Sequence, residues 1–326
     1  MGRQRPKILA LLCDQPNRRE VMDVYLPIAN LSVNGLVIVL LGGVTGLLSG
    51  MFGVGGGFLT TPLLIFYGIP PTVAAASAAT QVTGASVSGA IYQHKRGGID
   101  FQIGAVMVAG GVIGTGIGAL LFKLLTALGQ IDVAISVLYV VVLGSVGVIM
   151  AREAIPELFS GRLAKLGKTP VKRRHHPLVA NLPLRWRFYR SGLYISPLAP
   201  LLLGMAVGTL TMLMGIGGGF LLVPAMLYVL GMSANVVVGT SLFQILFTTI
   251  ATTMMHALTT NAVDAVLAAL LLLGSVSGAQ IGARFASDVR PELLRFILAM
   301  LVLMIAIRMA VGLTYRPEEI FTVVPL

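Results

Sequence analysis

The chain is poor in charged residues and nearly lacks cysteine. Charged residues make up 11% of its 326 residues, whereas a soluble domain carries about 25%. Hydrophobic residues make up 56%, and the mean hydropathy is +0.92. This composition excludes an ordinary soluble domain. Cys13 is the single cysteine, so no disulfide can form within the chain.

Motifs of the common enzyme classes are also missing. The sequence contains no His-Glu-x-x-His zinc helix, no Gly-x-Ser-x-Gly nucleophile elbow and no Walker-type phosphate loop. We therefore predict that the protein is not an enzyme, has no catalytic residues, uses no cofactor or metal and does not itself hydrolyse ATP. Active transport by this chain would need an ion gradient or a partner.

The sequence has long apolar runs instead. About 20 apolar residues span the ~30 Å hydrocarbon core of a bilayer, and eight stretches approach or match this pattern. They are residues 33–52, 72–93, 99–122, 132–151, 197–214, 235–255, 262–283 and 296–307. We predict an all-α, polytopic membrane protein with about eight long transmembrane helices.

Positive charge is concentrated between the fourth and fifth runs. The net charge is +11, and ten of the 23 Lys and Arg residues lie in residues 152–190. The positive-inside rule predicts a cytoplasmic loop here rather than a nucleic-acid-binding segment. Residues 185–190 alternate arginines with aromatics, which is typical of a segment at the lipid headgroups. We expect membrane lipid as a partner and no nucleic acid.

One unusual segment occurs twice, half a chain apart. Residues 53–62 read GVGGGFLTTP and residues 215–224 read GIGGGFLLVP. A glycine run breaks a helix, and duplicated broken helices in a membrane protein point to a transport site. The apolar pieces that follow, 58–68 and 220–230, are only ~16 Å long as helices. We predict two half-length helices there.

The duplication extends over about 70 residues. Offsets of 162 to 164 pair each glycine segment, each downstream glutamine and each helix-opening aspartate with a partner: Pro62 with Pro224, Gln81 with Gln244, and Asp100 with Asp264. We predict two homologous repeats and three flanking segments: a basic N-terminal segment at 1–30, repeats at 31–151 and 196–314, a basic cytoplasmic linker at 152–195 and a tail at 315–326.

Two topologies fit this pattern. If the half-length helices re-enter the membrane without crossing it, each half crosses four times and the repeats are parallel. If each broken pair forms a hairpin at mid-membrane, each half crosses three times and the repeats are inverted. The basic N-terminus favours the first topology, whereas Arg284 and Arg290 favour the second. The sequence leaves the choice open.

The glycine segments predict a site for a small anion. Unpaired N–H groups at a helix start carry about half a positive charge and can hold an anion without a buried lysine or arginine. We predict that the glycines of both breaks bind substrate: Gly55, Gly56, Gly57, Gly217, Gly218 and Gly219.

Glycines also occur in dinucleotide loops and in tightly packed membrane helices. A dinucleotide loop is disfavoured, because no strand precedes the segment and no acid follows at the required distance. Close packing between membrane helices is the stronger alternative. We prefer it for the glycines at four-residue spacing that form one smooth face: Gly110, Gly114 and Gly118, with Gly274, Gly278 and Gly282 in the second half.

Polar residues follow each break. Residues four apart lie on one helix face, and neutral hydroxyls and amides can donate hydrogen bonds to an oxyanion. For the hydroxyls, hydrogen bonding between helices is the alternative. We add the polar residues of both halves to the predicted substrate site: Ser77, Thr80, Gln81, Thr240, Ser241 and Gln244. Asp100 and Asp264 open helices, where we expect helix caps rather than proton carriers.

The duplicated Gly-x-Gly-Gly-Gly-Phe-Leu-x-x-Pro segment, the polar helix behind it and the Gly-Ile-Asp turn at 98–100 resemble the TauE/SafE family of sulfite and organosulfonate exporters. The resemblance covers about residues 31–313. It implies export of small sulfur-containing anions, such as sulfite, sulfoacetate or related sulfonates, through the cytoplasmic membrane of a bacterium.

We therefore predict a transporter that moves a small anionic substrate by alternating access. Import of another small anion is one alternative, and a membrane scaffold working through its basic loop is another. A coupling ion, proton or sodium, and a homodimer are left open as partners.

Overall fold

The protein is described in a computed structural model over residues 23–52, 56–95, 97–159, 186–188, 191, 193–232, 234–286 and 291–314. These residues are mostly helical, with two short antiparallel hairpins. The elements are β1 (Asp23–Leu26), β2 (Leu31–Asn34), α1 (Gly35–Phe52), α2 (Gly57–Phe66), α3 (Pro71–Lys95), α4 (Phe101–Ala127), α5 (Ile131–Phe159), β3 (Trp186–Phe188), β4 (Leu193–Ile195), α6 (Leu198–Met214), α7 (Gly219–Tyr228), α8 (Ala234–Met255), α9 (Ala265–Ala286) and α10 (Pro291–Thr314). A π-helical turn, His256–Thr260, continues α8.

Five helical segments of the described chain are long and apolar enough to cross a membrane. They are Phe101–Ala127, Ile131–Arg152, Val236–Thr260, Ala265–Gly282 and Phe296–Thr314. The apolar segments Gly35–Met51 and Leu198–Met214 are shorter. Helices α2 and α7 have ten residues each and follow the glycine segments, as the sequence predicts. The number of eight long crossings stays a prediction.

Glycine faces bring the two halves together in parallel helix pairs. In the pair α4 and α6, a methyl group added at Gly110 would lie 2.1 Å from the Leu201 carbonyl oxygen, and one at Gly114 would lie 2.0 Å from that of Met205. Helix α9 packs on α1 in the same way, with Gly278 against the Gly43 carbonyl. The packing interpretation of these glycines is confirmed, because only a bare backbone fits such an approach.

Helices α3 and α8 cross in the interior and run in opposite directions. Gly89, late in α3, lies beside Leu242, early in α8. Thr80, early in α3, has its hydroxyl 3.4 Å from that of Thr253, late in α8. Contacts that pair an early residue with a late one require antiparallel helices.

Asp264 ties several helix starts together at one end of the molecule, the β1–β2 end. Its Oδ1 accepts hydrogen bonds from the N–H groups of Val266 and Leu267, which caps α9. Its Oδ2 accepts one from Ile28, in the turn between β1 and β2, at 3.1 Å. Its own N–H donates to the Ser77 hydroxyl at 3.2 Å. The starts of α1, α3 and α9 therefore lie together.

Asp100 makes the matching junction at the other end, the β3–β4 end. Its Oδ1 accepts from the N–H groups of Gln102 and Ile103, and its Oδ2 accepts from both the N–H and the hydroxyl of Ser191. Its N–H donates to the Thr240 hydroxyl at 3.0 Å. The predicted capping role of both aspartates is confirmed. The starts of α4, α6 and α8 lie together at this end.

The two hairpins precede α1 and α6 with the same relative register. Tyr25 pairs with Ser32 in the first, and Arg187 pairs with Tyr194 in the second. These pairs are also related by the offset of 162. Each hairpin lies beside a predicted segment boundary, at residue 30 or 195, and those boundaries stay predictions.

Candidate functional site

The two glycine breaks meet in the interior of the molecule. The rings of Phe58 and Phe220, one after each break, stack with centroids 4.9 Å apart. A methyl group added at Gly57 would lie 2.9 Å from the Gly215 carbonyl oxygen and 2.8 Å from that of Ile216. The sequence placed these segments half a chain apart, and the fold brings them into contact.

The second break depends on left-handed glycines. Gly217 and Gly218 have φ of +73° and +75°, a region that side chains with a Cβ rarely adopt. A methyl group at Gly218 would lie 2.1 Å from Cγ1 of Val207. Gly219 is buried and begins α7. This break has no room for a larger residue.

The first break is capped by a hydroxyl of the preceding helix. The N–H of Gly56 donates to Oγ of Ser49 at 2.7 Å. Gly57 begins α2 and is buried. The predicted site residue Gly55 lies outside the described residues. Ser49 was not predicted from the sequence, although the offset of 162 pairs it with Thr211, and both interrupt apolar stretches just before a break.

The two predicted glutamines are buried, and the side-chain oxygen of each has no hydrogen-bond partner among the described residues. Gln81 donates from Nε2 to the Thr45 hydroxyl at 3.5 Å, and that hydroxyl donates to the Gly42 carbonyl. Gln244 donates to the Thr248 hydroxyl at 2.9 Å. Within the described structure, no protein group donates to Oε1 of either glutamine. A buried carbonyl without a donor is costly unless water or a ligand supplies one.

The other four predicted polar residues make hydrogen bonds to protein groups. Ser77 and Thr240 accept from the N–H groups at the two aspartate junctions, away from the breaks. Thr80 donates to the Ala76 carbonyl, and Ser241 donates to that of Val238. These bonds match the alternative of hydrogen bonding within and between helices. A substrate role for the four stays a prediction.

A cavity of about 550 Å³ lies beside the first break. Its inner part is formed by Ser49 and Ser86, and both side chains are buried. Tyr92 and Arg284, which are exposed, line it near the ends of α3 and α9, toward the β3–β4 end. The remaining lining residues are Gly50, Ala85, Gly89, Gln93, Val238, Leu242, Val276, Ala279 and Gln280. Neither serine was among the site residues predicted from the sequence.

At the second break, the repeat partners of the cavity residues Ser49, Ser86 and Gln93 are fully buried. They are Thr211, Thr249 and His256. His256, the repeat partner of Gln93, lies 3.0 Å through Nε2 from the carbonyl oxygen of Met212, and the ring of Phe122 packs against it. One break thus adjoins a cavity, whereas the equivalent residues at the other are buried.

Metal binding has no candidate within the described ranges, where no three His, Cys, Asp or Glu side chains are grouped to hold an ion. The arrangement offers hydroxyls, amides and helix starts, which can bind an anion.

Comparison with known proteins agrees with this geometry. The profile described as "Sulfite exporter TauE/SafE" matches residues 38–309, which include both breaks and all of α3 to α9. The chain belongs to the TauE/SafE family. It is therefore a multi-pass membrane transporter.

Relatives of this TauE/SafE protein carry the same general description. It is 28% identical to "Probable membrane transporter protein YjnA" of Bacillus subtilis over 83% of this chain and 98% of that protein. It is 23% identical to "Probable membrane transporter protein YunE" of the same organism, over 83% and 95%. A "Probable membrane transporter protein" of Xylella fastidiosa is 25% identical over 82% and 91%. No solved structure matches the chain.

Proposed function

We propose that this TauE/SafE protein exports small sulfur-containing anions, such as sulfite, sulfoacetate or related organosulfonates, across the bacterial cytoplasmic membrane. The observation that carries the proposal is a cavity lined by Ser49, whose hydroxyl accepts from the Gly56 N–H of the first break, next to where the two breaks meet. Helix starts and hydroxyl groups can hold an anion there without a buried positive side chain. The sulfur chemistry comes from the family description.

The two halves act as inverted repeats in this proposal. Helices α1 and α3 start at the β1–β2 end, whereas their counterparts α6 and α8 start at the β3–β4 end. This supports the hairpin topology, in which each broken pair turns back at mid-membrane and each half crosses three times. Inverted repeats around a central site are the usual basis of alternating access.

The β3–β4 end faces the cytoplasm in this proposal. The ends of α3 and α9 carry Lys95 and Arg284, and α5 leads into the basic segment 152–190 at the same end. The positive-inside rule orients such an end toward the cytoplasm. The cavity would then admit substrate from the cytoplasm, which is the side from which an exporter loads.

Transport into proteoliposomes tests the proposal. We expect labelled sulfite and sulfoacetate to be carried by the protein, and Gln81→Leu and Gln244→Leu each to lower the rate about tenfold or more. The reason is that each Nε2 has a second proton that can donate to the anion, and a hydrogen bond to a charged group contributes about 1.5–3 kcal/mol. Gly144→Ala is the matched control, because nothing lies within 4 Å of a methyl group at Gly144. Unchanged transport by both glutamine variants would reject this site.

The direction of transport needs a separate measurement. Vesicles in which the β3–β4 end faces outward should accumulate substrate that is added outside. Counterflow with a panel of sulfonates, sulfate and carboxylates should give the highest rates for sulfur anions. A carboxylate preference with inward flux in cells would favour the importer instead.

A further inference from the structure

The two serines at the inner part of the cavity have hydroxyl protons available for a ligand. Ser86 Oγ is buried, its residue is 1% exposed, and it has no hydrogen-bond partner among the described residues. Ser49 Oγ accepts from the Gly56 N–H, which leaves the proton of that hydroxyl to donate elsewhere. An unpartnered polar group in a buried site is costly unless a ligand or water pairs with it.

The hydroxyls at the repeat partners of these serines already donate to protein carbonyls. Thr211, the partner of Ser49, donates to the Val207 carbonyl at 2.8 Å. Thr249, the partner of Ser86, donates to the Ile245 carbonyl at 2.8 Å. Hydroxyl protons beside the second break thus bond the helix backbone, while those on the cavity side have no acceptor among the described residues.

The walls of the cavity are largely apolar. Its lining includes Leu242, Val238, Val276 and Ala85. A sulfite ion consists of four heavy atoms and offers nothing apolar to cover these walls. A space of about 550 Å³ falls instead in the size range of sites for organic ligands, which combine apolar walls with a few placed polar groups.

We infer that this cavity binds an organic acid anion with an apolar body, in preference to an inorganic anion. The acid group accepts hydrogen bonds from Ser49 and Ser86, and the body lies along Leu242, Val276 and Ala85. This inference rests on the proposed function, because it names the substrate class of the same site.

Binding of a chain-length series tests it. The full-length protein in nanodiscs is titrated with ethane-, propane-, butane-, pentane- and hexanesulfonate, with sulfite, and with the matching carboxylates, and empty nanodiscs correct for partition into lipid. Each added methylene should tighten binding about fourfold until the cavity is full, since burial of a CH₂ contributes about 0.8 kcal/mol. Sulfite that binds as tightly as hexanesulfonate would overturn the inference.

Two substitutions of alanine by phenylalanine locate the apolar body of the bound ligand. Ala85→Phe places a ring in the cavity and should abolish the gain with chain length, whereas Ala105→Phe, at an exposed position of α4, should keep it. Ser86→Ala should weaken all sulfonates by a similar factor, about tenfold, without changing the slope. A chain-length slope that survives Ala85→Phe would show that the body binds elsewhere.

The outcome is separable from that of the proposed function. Chain-dependent binding without transport of any sulfur anion would reject the exporter and keep the cavity assignment. Transport of sulfite with no chain dependence would do the reverse. Equal slopes for carboxylates and sulfonates would assign the shared acid chemistry rather than sulfur.

Discussion

The two glycine breaks have nearly the same sequence but different surroundings. The first adjoins a cavity of about 550 Å³ between α3 and α9, whereas the equivalent residues beside the second are fully buried. Gln93 lines the open cavity, and its repeat partner His256 lies buried against the Met212 carbonyl. Two segments of nearly the same sequence can therefore lie in different environments in one structure.

In the proposed alternating-access cycle, this structure would be the state that is open beside the first break. In a protein with inverted repeats, the second state follows from exchanging the conformations of the two halves. Gly50 is the repeat partner of Met212, so that exchange would bring Gln93 onto the Gly50 carbonyl and release His256. The predictions below test the difference between the breaks, starting with the largest effect.

Alanine substitutions at equivalent positions of the two breaks should show the largest difference, which is a difference in the loss of stability. Gly218→Ala forces a side chain into left-handed backbone 2.1 Å from Val207 Cγ1, whereas Gly56→Ala meets its nearest atoms at 3.3 Å. We expect Gly218→Ala to destabilise the protein by about 2–5 kcal/mol from backbone strain and overpacking, and Gly56→Ala by about 1 kcal/mol or less. Thermal unfolding of purified protein and folded yield measure this. Equal losses would mean that the breaks have the same geometry.

Thiol labelling should report which side is open. In a Cys13→Ser background, Ser86→Cys lines the cavity, whereas Thr249→Cys occupies the sealed equivalent. If the opposite state is populated at about 0.1–10%, Thr249→Cys should react about 10 to 1,000 times more slowly. A small water-soluble thiol reagent gives both rates. Comparable rates would show that both sides open equally.

The contact between His256 and the Met212 carbonyl should have a smaller effect on the labelling rate beside the second break. Removing it with His256→Ala should raise the labelling rate of Thr249→Cys about fivefold, as a hydrogen bond contributes about 1 kcal/mol. His256→Gln, which restores the residue type of Gln93, should raise it less. Gln93→Ala serves as the control and should not accelerate the reaction. An unchanged rate in His256→Ala would show that this contact does not keep the region beside the second break closed.

Much of the architecture could be predicted from local sequence. Glycine runs stop α1 and α6 whatever packs around them, and a proline near the next helix start fits a half-length helix. Aspartates before α4 and α9 cap those helices, and glycines at four-residue spacing make the faces that pack. These features depend on residues within a few positions of one another.

The site could be predicted only in part. Ser77 and Thr240 share a helix face with the glutamines, yet their hydroxyls accept from Asp264 and Asp100, which are 187 and 140 residues away. Ser86 is one of several polar residues in its helix, and no local pattern marks its hydroxyl as unpartnered. Partners that lie more than a hundred residues apart have no signal in the spacing of either segment.

The sequence by itself determined the composition of a membrane protein, the duplication, the places where helices break and the family. The tertiary structure decided that the breaks face each other, that α3 and α8 run antiparallel, and that a cavity lies beside the first break. The physical reason is that these features depend on contacts between residues far apart in the chain. His256, for example, lies against the Met212 carbonyl 44 residues away and is buried, whereas its repeat partner Gln93 lines the cavity.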